Sequence, residues 1–254
     1  MAGEEERKRV LVVGSSGYLG QQLLMASSAA DRLDPHVVFN CVAMSVPRAC
    51  EMDPPAAMAT NVPSSLVNWL LSFGNDDALL IHLSTDQVYE GVKSFYKEED
   101  ETVPVNMYGK SKVAAEKLIV EKCSNYAILR SSIIYGPQTI SPVAKSLPVQ
   151  WMDGVLSQGQ QVEFFNDEFR CPANVKDMVD VILSLTKTWL SDVKKVQVLL
   201  NVGGPDRVSR LQMAESVAVV HGYNPSIIKS VSTSSVNRGV ASPPDISMDI
   251  TKLT

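Results

Sequence analysis

Three glycines, Gly14, Gly17 and Gly20, constrain this chain most, through what stands before them and how soon the next strand follows. RVLVVG, ending at Gly14, is a short Val-rich run of the kind that forms a strand buried on both faces. YLGQQLLMASSA, from Tyr18 and Leu19 onward, reads as a helix. In a G-x-x-G-x-x-G turn between strand and helix, the first glycine permits the tight turn and the second lets the backbone approach a pyrophosphate. The third lets the helix lie close to the strand. Free N–H groups and the dipole at the helix start favour an anion there. The next apolar run, HVVFNCVA, begins at His36, so Gly20 and Val37 leave 16 residues between them (21–36). That is room for one helix and one loop. Dinucleotide sites ordinarily hold the adenosine ribose with an acidic residue about 20 positions past the glycines, or a 2′-phosphate with a basic one. Here that position falls inside the apolar run, near Asn40, and the carboxylates of the short loop are Asp31 and Asp34.

Further along, ALLIHLST reads as a buried strand and MYGKSKVAAEKLIVEKC as a helix, followed by the strand YAILRSSIIYG. DPPAAMATNVPSSLVNWLLSFG reads as helical, interrupted at Pro63 and stopped at Gly74. Strands alternating with helices predict an α/β fold with a parallel, Rossmann-like sheet. Past Gly136 the texture changes: a loop, a helix in VQWMDGVLSQG, a strand in QVEFF, an amphipathic helix in NVKDMVDVILSLTKTWL, a strand in VQVLLNVGG and a helix in SRLQMAESVAVVHG. Ser209 suits the N-cap of that last helix and Gly222 its C-terminal stop. The expected organisation is a shortened dinucleotide-binding domain over residues 1–136 and a smaller substrate or partner lobe over 137–254, interleaved with it.

The net charge of -5 argues against general affinity for nucleic acid or anionic membranes. No apolar run approaches the roughly 20 residues of a membrane span. The polar start MAGEEERKRV resembles neither a secretory signal nor a transit peptide, so a cytoplasmic location is expected. The four cysteines form no C-x-x-C pair and the three histidines do not cluster, so no metal site is expected and the thiols read as reduced. His82, inside an apolar strand, reads as structural, and Trp69, Trp151 and Trp189 read as core residues on apolar helix faces.

Tyr108 and Lys112 stand four apart on a predicted helix and so share a face. A phenol there can give a proton to a carbonyl oxygen as hydride arrives at carbon. Free tyrosine has a pKa of about 10, and a neighbouring ammonium favours the phenolate and lowers it. LIHLSTDQVYEG puts Ser84, Thr85 and Asp86 at the carboxyl end of a predicted strand, where α/β sheets hold ligands. Thr85 can hold a substrate carbonyl near Tyr108.

VLVVGSSGYLG, LSTDQVYEG, NMYGKSKVAAEK and LRSSIIYGP together resemble the extended short-chain dehydrogenase/reductases, and most of all their dTDP-4-dehydrorhamnose reductase branch. That branch also includes the regulatory β subunit of methionine adenosyltransferase. FRCPANVKDMVDVI is similar to the stretch where the family's second lobe meets the cofactor domain, and MDITKL to a late D-x-x-K-L segment. The resemblance implies catalysis by Thr85, Tyr108 and Lys112. It implies NADP or NAD bound by Gly14, Gly17, Tyr18, Leu19, Gly20, Ala43, Asn61, Tyr108 and Lys112, with Asp86 and Arg170 toward the substrate. Arg130 to Ile133 would follow the strand that flanks the nicotinamide. The bacterial reductases often carry tryptophan where this chain has Ile133. The implied partner is a nucleotide-sugar substrate or, for a regulatory subunit, the catalytic subunit of methionine adenosyltransferase. The family places a strand, a helix and another strand between the first helix and the strand resembling HVVFNCVA. Here they are missing, which predicts a sheet with its first strand at the edge, weak or absent dinucleotide binding, and a first helix that either changes face or makes a left-handed crossover.

Overall fold

The computed structural model describes residues 9–26, 35–72, 78–139, 141, 143, 146–191 and 195–253. Gly74, Asp31 and Asp34 lie outside the described residues. Five parallel strands form the central sheet in the order β1-β2-β3-β4-β9, comprising β1 (Val10–Val13), β2 (Val37–Asn40), β3 (Leu79–Thr85), β4 (Tyr126–Ser131) and β9 (Gln197–Val202). The glycine-turn strand β1 pairs with β2 alone among the described strands, so it is an edge. The register carries Asn40 beside His82 and His82 beside Ile128.

Period-two alternation divides the sheet's side chains between two helix layers. Phe39, Ile81 and Leu129 pack with Tyr18, Leu19 and Leu23 of α1 (Tyr18–Ala26) and with Met178, Val179 and Ile182 of α7 (Val175–Leu190). Val38, Leu80 and Ile128 pack the other way, against Val67 and Leu70 of α4 (Ser64–Ser72) and Ile119 of α5 (Met107–Lys122). Between β2 and α4 lie α2 (Pro47–Met52) and α3 (Pro54–Asn61), the latter capped by Asp53 and ended before Pro63.

The chain steps across the sheet in one direction through β1, β2, β3 and β4. Helices α4 and α5 cover one face on the way, whereas α1 covers the other. The β1–α1–β2 unit therefore has the opposite hand from the two units that follow. Of the two expected arrangements, the described helix takes the second: it shares its face with α7 and the crossover hand is reversed.

The rest of the chain builds around α6 (Pro148–Leu156), β6 (Val162–Phe165), α8 (Arg210–His221) and β11 (Ile228–Val231), with β11 parallel to β6. Met152, Leu156, Phe164, Met213 and Val217 form its core. Ser209 caps α8 in a reciprocal bond pair with Gln212, and Gly222 ends it at φ +70°. Short pairs join the parts: β5 (Ile134–Tyr135) with β8 (Ala173–Asn174), and β7 (Phe169–Arg170) with β10 (Val208–Ser209). The run read as one strand, YAILRSSIIYG, thus breaks at Ser132 and Ile133, where the chain bends over the sheet's carboxyl edge. Both α7 and β9 follow residue 137 in sequence yet complete the central sheet layers. All four cysteines are free. Trp69 and Trp189 pack partly buried on core clusters, but Trp151 is about half exposed and meets Phe164 edge-on. Among the described residues no helix is long and apolar enough to cross a membrane, and no group of three or more His, Cys, Asp or Glu is placed to hold a metal ion.

Candidate active site

A cleft of about 500 Å³ opens at the carboxyl end of the sheet. Gly17, Tyr18, Leu19 and Gly20 form one wall, Cys41 and Ala43 follow from β2, and Thr85, Asp86, Tyr108 and Lys112 form the floor. The glycine turn is steric in origin. Gly14 turns at φ +86°, and a Cβ on Gly20 would stand 2.3 Å from the Gly14 carbonyl oxygen, so any larger residue would push α1 off β1. The Tyr18 hydroxyl donates to the Pro137 carbonyl at 2.9 Å, and Gln21 bonds Ser141, so the turn is tied to the loop after β5. A close approach also seats α5. Asn106 caps it by accepting from Gly109 N at 2.9 Å, and a Cβ on Gly109 would stand 2.2 Å from the Gln87 carbonyl oxygen. Only glycine lets the helix start that near the end of β3, which brings Tyr108 to Thr85.

Tyr108 is buried beside Thr85 in the cleft. Burial pushes its phenol above the ordinary tyrosine range; the Thr85 contact pulls the other way and the nearby Asp86 adds to the rise. In the free cleft, then, the tyrosine is held as the neutral acid rather than eased toward phenolate. Thr85 Oγ1 also donates to Asp86 Oδ1 at 3.1 Å and accepts from Gln87 N. The other Asp86 oxygen accepts from Ser132 Oγ at 2.9 Å. Burial raises the Asp86 carboxyl, opposed chiefly by Arg170 and by the Ser132 and Thr85 hydroxyls.

Lys112 is as buried as a core residue, at 1% exposure. Its Nζ lies 3.3 Å from His82 Nε2, and the His82 ring meets Asn40 Nδ2 through Nδ1 at 3.1 Å. Burial lowers the Lys112 amine to about 8, against the upward pull of Glu116 and Cys41. Glu116 is itself engaged: it pairs with Arg130 at 2.7 Å and accepts from the Ser84 hydroxyl. His82, read from sequence as structural, therefore touches the site. Its signal was available in the strand period, because His82 and Ser84 alternate onto the α5 face, where Lys112 and Glu116 stand one turn apart.

Gly14 backs the turn against Cys41 and Val42 without lining the cleft, and three further implied residues are placed away from its surface. Asn61 is buried and splints the loop after β2 to α5: Oδ1 accepts from Met44 N at 2.7 Å, and Nδ2 donates to Met44 O and Ser111 Oγ. Arg170 is buried at 2% exposure, paired with Glu168 and bonded to the carbonyls of Phe169 and Pro243. It reaches the cleft only through its field on Asp86. Arg130 turns toward α5, whereas Ser131, Ser132 and Ile133 line the cleft. The position expected to hold an adenosine ribose, Asn40, is buried and spends its side chain on His82 and Val42 N. The residues present fit a dinucleotide over its pyrophosphate and nicotinamide half; the adenosine end finds no matching carboxylate at the end of β2.

Relatives bear on this arrangement. The chain is 27% identical to methionine adenosyltransferase 2 subunit beta of Pongo abelii, over 97% of this chain and 81% of that protein. It is 27% identical to a probable low-salt glycan biosynthesis reductase of Haloferax volcanii, over 88% and 72% of the two chains. Among solved structures, a dTDP-4-dehydrorhamnose reductase of Bacillus anthracis in complex with NADP superposes with a TM-score of 0.83 at 22% identity, covering 97% of this chain and 92% of that one. A dTDP-4-dehydrorhamnose reductase of Clostridium acetobutylicum gives 0.84 at 20% identity with the same coverage. With the sheet, the glycine turn and the paired Tyr108 and Lys112 in place, and residues 26–254 matching the RmlD substrate binding domain model, the chain belongs to that family.

Proposed function

We propose that this protein is an NAD(P)H-dependent reductase of a carbonyl on a nucleotide sugar. Residues 1–136 would form its dinucleotide-binding domain and 137–254 a smaller substrate or partner lobe interleaved with it, α7 and β9 returning to the central sheet layers. The observation that carries the reading is the convergence of Thr85, Tyr108 and Lys112 with the glycine turn in one cleft. The relatives named reductases, and the NADP held by the structural neighbour, support it. Gly17 and Gly20 would receive the pyrophosphate beside the start of α1, and Lys112 the nicotinamide ribose. When bound, the reduced nicotinamide supplies hydride. Tyr108, held neutral by burial, gives its proton to the carbonyl oxygen, and Thr85 orients that oxygen. Because the adenosine end lacks its usual wall, binding of the dinucleotide is weak. The test is oxidation of NADPH by a nucleotide 4-keto sugar, abolished by Tyr108→Phe. A folded protein that turns over equally well with phenylalanine at 108 sinks the reading.

A second reading rests on the likeness to methionine adenosyltransferase 2 subunit beta over nearly the whole chain. Here the fold is a regulatory scaffold for the catalytic subunit and turnover is not required. Co-purification with that subunit, together with no sugar-dependent NADPH oxidation, favours it over the first.

A further inference from the structure

The charge state of Lys112 follows from hydrogen-bond polarity two residues away. Val42 N is a backbone N–H and can only donate; it meets Asn40 Oδ1 at 3.2 Å. That contact fixes the orientation of the Asn40 amide, so its NH₂ faces His82 Nδ1 at 3.1 Å. An NH₂ also only donates, so Nδ1 must be the bare, accepting nitrogen. A neutral imidazole carries its one proton on the other nitrogen, and Nε2 points at Lys112 Nζ, 3.3 Å away. An ammonium has three donors and no acceptor, so it cannot bond an N–H. Only the amine can.

We propose that His82 is a positioning residue for Lys112, turning an N–H toward Nζ so that the hydrogen-bonded form of Lys112 in the free cleft is the neutral amine. The surroundings agree. The titratable groups around Nζ are Cys41 after β2, His82 on β3, and Tyr108 and Glu116 on α5. Burial keeps the Cys41 thiol neutral, pushed up to about 12. Glu116 spends its charge on Arg130. His82 is driven well below the ordinary histidine range, by burial first and by Lys112 second, so the ring stays neutral. Among the described residues no carboxylate lies within ion-pair distance of Lys112.

Above its half-neutral point Lys112 is thus a proton acceptor, and below it a cation. One proton from solvent, added to Nζ, gives the ammonium and breaks the contact with His82. The new cation must turn toward a hydroxyl or phosphate oxygen placed in the cleft. The use made of this rests on the reductase reading, but the proton bookkeeping does not.

The test needs no turnover. Nitrogen-15 spectra of the ligand-free chain, with His82 assigned through His82→Gln, should show Nε2 protonated and Nδ1 bare, unchanged from roughly pH 6 to 9. Competitive labelling of Lys112 by a small amine-reactive anhydride, read by mass spectrometry, should give a half-neutral point near 8. Asn40→Asp offers acceptors to both Val42 N and His82 Nδ1, which reverses the tautomer and leaves Nε2 to accept from an ammonium. The half-neutral point should rise by about one pH unit, a tenfold loss of neutral amine at fixed pH. His82→Gln, whose oxygen is free to face Nζ, should move it the same way without adding charge. The double variant Asn40→Asp/His82→Leu should lose most of the rise, which separates the relay from simple attraction by the new carboxylate. A wild-type His82 protonated on Nδ1, or a wild-type Lys112 that labels as an ordinary surface lysine, overturns the proposal. Absent sugar reduction with the tautomer as described would remove the reductase reading alone.

Discussion

Replacing Glu168 by Gln takes one negative charge from beneath three guanidiniums. Glu168 Oε1 accepts from Arg170 Nη2 at 3.0 Å and from Arg210 Nε and Nη2 at 3.1 Å, and Oε2 faces Arg238 Nη1 at 2.9 Å. The side chains of Glu168 and Arg170 are 2% exposed, those of Arg210 and Arg238 21% and 29%. Gln keeps the shape and one acceptor but leaves Arg170 charged and buried without its ion-pair partner, with the field of Asp86 and the Phe169 and Pro243 carbonyls still acting on it. Removing one partner of a buried pair costs about 3–5 kcal/mol. Arg210 and Arg238 can rehydrate and add at most about 1 kcal/mol each. Against a total stability of roughly 5–15 kcal/mol this is a large share. At about 2–4 °C per kcal/mol for a chain of this length, the summed loss of about 3–7 kcal/mol lowers Tm by roughly 6–28 °C. Urea and thermal melts of both proteins measure it.

The pH dependence has a definite sign. Burial pushes the Glu168 carboxyl up, but the guanidiniums, Arg170 first, outweigh it and hold the carboxyl below its ordinary range. A depressed folded value means stabilisation that is present above the unfolded pKa of about 4.3 and lost as pH falls through the folded value. The gap between wild type and Glu168→Gln should therefore be full at neutral pH and close in acid. A loss under about 1 kcal/mol at neutral pH, or a gap that widens in acid, refutes the reasoning.

Gly20→Ala should cost about 1–3 kcal/mol through overpacking against the Gly14 carbonyl and abolish any NADPH binding seen by calorimetry. Tyr108→Phe should keep the melting temperature and lower carbonyl reduction by about 10²–10⁴-fold, the usual range for a lost general acid. Asn61→Ala should destabilise by about 1–3 kcal/mol, since it leaves Met44 N without its acceptor and takes one donor from Ser111 Oγ, which keeps its bond to the Tyr108 carbonyl; a change confined to cofactor affinity would restore Asn61 to the cleft surface.

The sheet was legible because its strands are apolar runs closed by recognisable stops, and the cleft because its residues sit at strand ends and on one helix turn. The short pairs β5–β8 and β7–β10 were not legible: two-residue strands leave no period to read. Arg170 and Asn61 were misplaced for a different reason. Sequence position brings each near the site, but a buried charge or amide goes where its partners are, and Glu168 and Met44 draw these two inward. His82 was passed over because one histidine in an apolar strand has no pattern of its own. Its meaning lies in the register that puts it beside Asn40 and the face that puts it beneath Lys112.

The reversed hand of the first crossover can be weighed in the same way. Right-handed units make up about 98% of such connections, an odds ratio worth only ~2 kcal/mol if read as an energy. Helix α1 buries Tyr18, Leu19 and Leu23 against the α7 layer. Each large apolar side chain fully buried contributes about 1.5–3 kcal/mol. On the other face the helix would meet α4 and α5, already packed on Val38, Leu80 and Ile128, and would leave Phe39 and Ile81 without their α1 cover. Packing therefore outweighs chirality by several kcal/mol, and α1 stays with α7. The same choice keeps the glycine turn over the carboxyl edge of the sheet, so that a chain with 16 residues between Gly20 and Val37 still presents that turn and Tyr108 to one cleft.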